Sequence, residues 1–491
     1  MELNSKKRIS INVIFSVLQV GFVGLIYFLI YRIILDKIGI EQLGVWSLIL
    51  ATTSVVNLAN FGITSGIVKF IAEYNFYKNV AAIKKVIFTS FIILIAIFSI
   101  FSLILYLLGD YFLSFVVDEE YFDLTQRLFP ISLFSLILNS VSGVFTSVLE
   151  GLQKNYLKNI LLTFSSILFL IFILLLIDDY GLIGVAYSQL IQSVFMLGIS
   201  YLIVAFEYKD FLIIYKYWDK KTLLKVTGFG LKFQFISILV MLFDPITKAF
   251  LSKFGGLAFL GYYEMANKLI FQVRSFIVNA NQVMIPVLAH TIEEGSKKMN
   301  ELYIKNYNIT FLVNTFLLSI LFILTPLISY FWIGELQNEF IFCMYILIAA
   351  TFINILNTPA YFSCIAKGEL KILIISHLIL TILNSVFGYT FGLFYGGKAV
   401  IFSSAISLII SSVYIIYKYN IKIDVRVKLK SINKIFFTSA LLISFTSISL
   451  ILFYYNIINI NYFIGLSFFL IVALCSVLIV ARKKIKKQIF S

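Results

Sequence analysis

At 491 residues the chain is long, yet only 13% of it is charged against 61% hydrophobic, and 39 Lys and Arg outweigh 24 Asp and Glu to give a net charge of +15. About a quarter of a water-soluble domain is charged, because its surface faces water; half that share over this length excludes a soluble enzyme and puts most of the surface against lipid. In such a chain the basic excess belongs in short loops that set topology and meet anionic lipid heads, so membrane lipids are expected partners and nucleic acid is not.

The first apolar run, INVIFSVLQVGFVGLIYFLI (11–30), is continuous rather than alternating. It matches the roughly 20 residues a helix needs to cross hydrocarbon with every backbone group bonded internally. It is too long for a signal peptide and lacks a small-residue cleavage site, so it reads as a permanent helix. Further helices are predicted near 43–61, 86–108, 129–148, 155–176, 181–205, 226–252, 257–288, 309–332, 340–365, 371–394, 397–417, 434–455 and 462–481. The expectation is an all-α integral membrane protein of about 14 transmembrane helices.

The distribution of Lys and Arg tests this count. With Lys6, Lys7 and Arg8 in the cytoplasm and the sides alternating, 30 of the 39 basic residues fall in cytoplasmic segments, 5 outside and 4 within helices. If either charged segment, 226–252 or 257–288, failed to cross, every later loop would invert against the positive-inside rule. Both termini are therefore expected in the cytoplasm. The longest external loop, 109–126, is acidic (Asp110, Asp118, Glu119, Glu120, Asp123), and Trp46, Trp218 and Trp332 sit where amphipathic aromatics meet the membrane interface. Cys343, Cys364 and Cys475 have no metal-ligand spacing, and His290 and His377 lie far apart, so neither a metal site nor a disulfide framework is expected.

Two stretches look like copies. LDKIGIEQLGVW (35–46) follows the first helix and LSKFGGLAFLGYY (251–263) the seventh; Gly39 to Gly44 and Gly256 to Gly261 share a spacing of five. Long basic loops close each unit. An even-numbered repeat keeps its orientation, so the halves should be related by an axis along the membrane normal. The predicted organisation is an N-lobe (1–210), a cytoplasmic linker (211–225), a C-lobe (226–420) and a C-terminal helix pair with a basic tail (421–491).

Charges inside the membrane cost on the order of 3 kcal/mol each on insertion scales and tend to face protein or a wet cavity. Asp244 and Lys248, and Glu264 and Lys268, stand acid-to-Lys at i, i+4, the favourable order for pairing along one helix; they either neutralise each other or serve a cavity, and Asp244 can also take a coupling ion. Arg32 and Lys232 lie near helix ends and can snorkel to head groups. Arg274 has no acid at i±3 or i±4. Pro245, Pro326 and Pro359 fall within helices as ordinary kinks or as hinges. Asn57, Asn60, Gln189, Gln192, Gln234, Asn281, Gln282 and Asn354 read mainly as interhelical glue.

The order of these features resembles the polysaccharide transporter family, which includes O-antigen flippases and shares a superfamily with multidrug (MATE) exporters and lipid II flippases. The resemblance runs along the first twelve helices and is clearest at LGVWSLILATTSVVNLANFGITSGIVKFIAEY (43–74) and FDPITKAFLSKFGGLAFLGYYEMANKLI (243–270). It implies two six-helix lobes forming a MATE-like V, a central cavity and alternating access, with two extra C-terminal helices. The implied activity moves a polyprenyl-diphosphate-linked oligosaccharide, such as an O-antigen or capsule repeat unit, to the outer leaflet of a bacterial cytoplasmic membrane, in company with glycan polymerase or assembly proteins.

On that reading Arg274, Lys248, Lys268, Lys232 and Arg32 line a cationic cavity, since a planar guanidinium can give two parallel hydrogen bonds to phosphate. Two rivals stand beside it. An organic-cation exporter would need an acidic or aromatic cavity, and a membrane glycan polymerase or ligase would need catalytic acids, for which Asp118 to Asp123 is the candidate cluster. There is no phosphate-binding loop, so no cofactor is expected; proton or sodium coupling, or consumption of product on the far side, is left to drive transport.

Overall fold

With no water in hydrocarbon to satisfy the backbone, each apolar run closes its own hydrogen bonds, and among the described residues there is no strand. The structure, a computed structural model, describes residues 2–60, 62–208, 217–282, 284, 288 and 296–423, without the side chains of 2–14, 17, 58–59, 229–237 and 296–297. The predicted helices 434–455 and 462–481 and the basic tail lie outside the described residues.

In chain order the helices are α1 (Glu2–Ile38), α2 (Ile40–Ser54), α3 (Ile63–Phe76), α4 (Val80–Val116), α5 (Glu119–Gly151), α6 (Asn155–Glu207), α7 (Lys220–Gln282), α8 (Ser296–Ile328), α9 (Asn338–Leu356), α10 (Thr358–Lys367), α11 (Leu370–Tyr395) and α12 (Gly397–Lys422). Among the described residues, eight helical stretches are long and apolar enough to cross a membrane. One of these, α6, is two helices, because Gly181 (φ 54°, ψ −133°) interrupts it. A Cβ on Gly184 would lie 2.4 Å from the Leu176 carbonyl oxygen, whereas eight residues of straight helix span about 12 Å. The chain doubles back there. Gly256 (φ 81°, ψ 166°) breaks α7 in the same way. Extended backbone at positive φ is essentially reserved for glycine.

Three sequence expectations are corrected. The segment predicted as one helix over 43–61 divides: α2 passes into a 3₁₀ turn (Val55–Asn60), and α3 starts after Gly62. Asn side chains cause this by competing for hydrogen bonds: Asn60 Oδ1 accepts from the Thr64 backbone N–H at 3.4 Å, and Asn57 Oδ1 accepts from Ser140 Oγ at 3.4 Å. The acidic loop expected over 109–126 is almost wholly helical, with α4 running to Val116 and Glu119 and Glu120 in the first turn of α5. Acids are favoured at a helix N-terminus. Finally, Trp46 and Trp332 are buried rather than at the surface, at 3% and 2% exposure; Trp46 packs between Tyr31 (5.6 Å) and Phe169 (6.3 Å), joining α2 to α1 and α6.

The fold divides into two compact units that part after Gly261. In the first, α6 packs on α1 and α5, and α5 on α3 and α4. In the second, α12 packs on α11 and α9 through a face carrying Ser403, Ser404, Ser407, Ser411 and Ser412, all buried. Small residues let helices approach closely, and here Ser376 Oγ on α11 donates to the Ser411 carbonyl at 2.9 Å.

The repeat read from the sequence has a backbone counterpart. Gly39 (φ 87°, ψ 173°) and Gly256 (φ 81°, ψ 166°) share one conformation. Positive φ also recurs at Gln153 and Gly368 and at Gly181 and Gly396, at nearly the same offset along the chain. The two glycine pairs meet reciprocally. A Cβ on Gly44 would lie 2.0 Å from the Leu257 carbonyl oxygen, and one on Gly261 would lie 2.5 Å from that of Ile40. Each glycine thus faces the residue just past the other copy's turn, which is the exchange of partners that a local two-fold produces.

Candidate substrate site

The second half of α7 carries Arg274 about 27 Å along the helix from the Gly256 turn, at 1.5 Å per residue. Arg274 Nε donates to Asn354 Oδ1 on α9 at 2.8 Å. Asn354 is held in turn, its Nδ2 donating to Ser412 Oγ on α12 at 3.1 Å, and Asn357 Nδ2 donates to the same oxygen at 2.9 Å. Both asparagines and Ser412 are buried. They flank the point where α9 ends and α10 begins with Thr358 and Pro359. Proline lacks an N–H and suits the first helical turn, so the polar groups gather at a helix junction.

This arrangement fixes the guanidinium without neutralising it. A guanidinium has five N–H groups, and the bond to Asn354 occupies the one on Nε while offering no negative charge. Among the described residues Arg274 has no carboxylate partner. The paired terminal nitrogens are left as a fork of the geometry that carboxylate or phosphate accepts. Tyr361 of α10 and His377 of α11 complete the cluster. Their rings meet at 5.9 Å and 75°, and both interact electrostatically with Arg274.

The other predicted residues take different places. Asp244 and Lys248 form the i, i+4 ion pair at 2.9 Å, with Lys248 7% and Asp244 44% exposed. Arg32 pairs with Asp36 at 2.7 Å near the end of α1. Glu264 is buried and Lys268 half-buried on the second half of α7. Lys232 lies on the first half of α7, its side chain outside the described residues. Pro245 and Pro326 lie inside α7 and α8, the latter just before a π turn at Ser329–Ile333, whereas Pro359 opens α10. Asn281 is glue: its Oδ1 accepts from Asn306 Nδ2 at 3.0 Å and Thr310 Oγ1 at 3.1 Å on α8.

Arg274 thus stands at a polar cluster fed by four helices. Sequence reasoning had singled out Arg274, Asn354 and Pro359 separately and missed Asn357, Tyr361, His377 and Ser412. The run NILNTPAYF (353–361), two asparagines and a proline amid apolar residues, was the available signal. Among the described residues no group of His, Cys, Asp and Glu could hold a metal ion, and Cys343 and Cys364 are free and buried.

A fold of this kind is shared with membrane transporters of known structure. A MATE multidrug resistance transporter of the MOP superfamily, inward-facing, superposes with TM-score 0.70 at 15% identity over 82% of this chain and 94% of that one. The lipid II flippase MurJ, inward closed, gives TM-score 0.70 at 17% identity over 95% and 98%. A MOP superfamily transporter from Pyrococcus furiosus, whose binding pocket is described as of reverse polarity and suggestive of a different function, gives TM-score 0.59 at 14% identity over 85% and 94%. At these identities the likeness establishes the fold.

Fold and composition together define a multi-pass membrane protein with the fold that these transporters share. The family model of polysaccharide biosynthesis proteins matches residues 9–292, more than half the chain, and the chain belongs to that family. No curated protein sequence matches it.

Proposed function

We propose that the protein flips a polyprenyl-diphosphate-linked oligosaccharide, an O-antigen or capsule repeat unit, from the cytoplasmic to the outer leaflet of a bacterial cytoplasmic membrane by alternating access. The observation that carries this reading is Arg274, a half-buried cation oriented by a neutral amide and without a carboxylate partner among the described residues. A charge packed among helices without a counter-charge is costly, and an anionic head group would repay the cost with charge-assisted bonds. The lipid tail needs no polar path and stays in hydrocarbon. Family membership supports a glycan cargo.

With the N-terminus in the cytoplasm, the Arg274 end of the second unit faces the cytoplasmic side, where such a substrate would be loaded. Transport would draw on a proton or sodium gradient, or on consumption of the product by glycan polymerase or assembly proteins. An organic-cation exporter is disfavoured, because Arg274 repels its cargo. The test is transfer of a fluorescent lipid-linked oligosaccharide in proteoliposomes: wild type is expected to move it to the opposite leaflet and Arg274→Ala to fail at equal protein incorporation. Unimpaired transfer by the variant would remove the basis of the assignment.

A further inference from the structure

His377 is a half-buried polar residue with no task so far. A neutral imidazole carries one donor and one acceptor, and the protonated ring carries two donors. In His377 both Nδ1 and Nε2 are sealed from solvent, and neither has a hydrogen-bond partner among the described residues. The neighbours it faces are Tyr361, edge to face at 5.9 Å, and the Arg274 charge. Buried polar atoms are nearly always paired, and an exception calls for an explanation such as a binding role. An apolar residue would fill this position on α11 without that penalty.

The two observations point the same way. Arg274 presents donors fixed by Asn354, and His377 holds ring nitrogens in reserve across Tyr361. We infer that Arg274 and His377 form one binding subsite for a phosphate-bearing head group, with His377 donating its ring N–H to a phosphate oxygen while Arg274 grips the same group by its fork. This rests on the flippase reading above and adds a second residue, from a second helix, to the head-group contact. A ligand gripped from both would tie α7 to α11.

The test is binding of two probes, farnesyl diphosphate and inorganic pyrophosphate, to the purified full-length protein, measured together with the apparent Tm of the unliganded protein. Removing one charge-assisted hydrogen bond is expected to weaken farnesyl diphosphate by about tenfold in His377→Leu. His377→Gln, which keeps a donor, should stay close to wild type. The Tm of unliganded His377→Leu should equal or exceed that of wild type, since the substitution removes unpaired polar atoms. That combination, weaker binding without lost stability, is not what a merely structural histidine gives. Tighter binding of farnesyl diphosphate than of pyrophosphate would identify a lipid head group as the occupant, and the reverse order would identify a free anion, with dependence on His377 supporting the subsite in either case. Wild-type affinity in His377→Leu, or a fall in its Tm, overturns the inference and leaves the flippase reading standing. Failure of wild type to bind either probe overturns both.

Discussion

The carbonyl oxygen of Leu257 occupies the place where a side chain on Gly44 would begin, 2.0 Å from the position of its Cβ. Its mirror contact, Gly261 on Ile40, has 2.5 Å. A short repeated phrase in the sequence has thus become an interlock at the two turns, in which neither copy can accept even a methyl group without backbone movement. Because the obstacle is backbone, no rotamer change relieves it.

Gly44→Ala is therefore expected to cost about 1–3 kcal/mol through overpacking, read as a lower apparent Tm in detergent. Gly198, on a helix with nothing within 4 Å of its Cβ position, is the control. Gly198→Ala should be neutral or stabilising by up to about 1 kcal/mol, because alanine is the better helix former. Equal effects at the two sites would show that the interlock is not tight.

The Asp244–Lys248 pair is asymmetric, with the ammonium buried and the carboxylate 44% exposed. Taking the carboxylate from a buried cation should cost more than taking the cation from a carboxylate that reaches solvent. Asp244→Asn is expected to destabilise by about 1–3 kcal/mol, a range reduced for the exposure of the acid. Lys248→Met should destabilise less. Thermal unfolding of the two variants in the same detergent gives the order, and the reverse order would contradict the geometry.

Asp219 precedes α7 and caps it, accepting from the Thr222 hydroxyl and from the Thr222 backbone N–H at 2.9 Å. These bonds, assisted by Lys85 and Lys221, hold its carboxyl below the usual carboxylate range. A depressed folded value means the stabilisation is present above the unfolded value, near 3.9, and fades as pH falls through the folded one. Asp219→Ala should therefore lower the apparent Tm at neutral pH, and the gap from wild type should close below about pH 4. A gap independent of pH would mean that the charge is not what caps the helix.

Much of this was legible in the sequence for a local reason. A membrane helix is announced by its own run of apolar residues, and the Asp244–Lys248 pair by spacing along one helix. The turns at Gly39 and Gly256 could be read as a repeat because glycine is needed wherever the backbone takes their conformation. What escaped was whatever depends on helices far apart in sequence. The partner of Arg274 is Asn354, 80 residues on, and only packing brings Tyr361, His377 and Ser412 to the same place. The burial of Trp46 against Phe169 escaped likewise, since a tryptophan near a helix end reads equally as an interface anchor or as core. The break near the end of 43–61 was marked by Asn57 and Asn60, whose side chains bond locally and across to Ser140, and by Gly62, whose backbone takes the left-handed region.

The central claim is that Arg274 holds an anionic head group inside the membrane, and the most direct measurement is the affinity of purified protein for a polyprenyl-diphosphate oligosaccharide, in wild type and in Arg274→Gln. The variant keeps a donor but loses the charge and the fork. We predict that its Kd rises by at least about tenfold, equivalent to about 1.4 kcal/mol, with fold and stability retained. An unchanged Kd, or tight wild-type binding of a lipophilic organic cation in place of the diphosphate, would contradict the account.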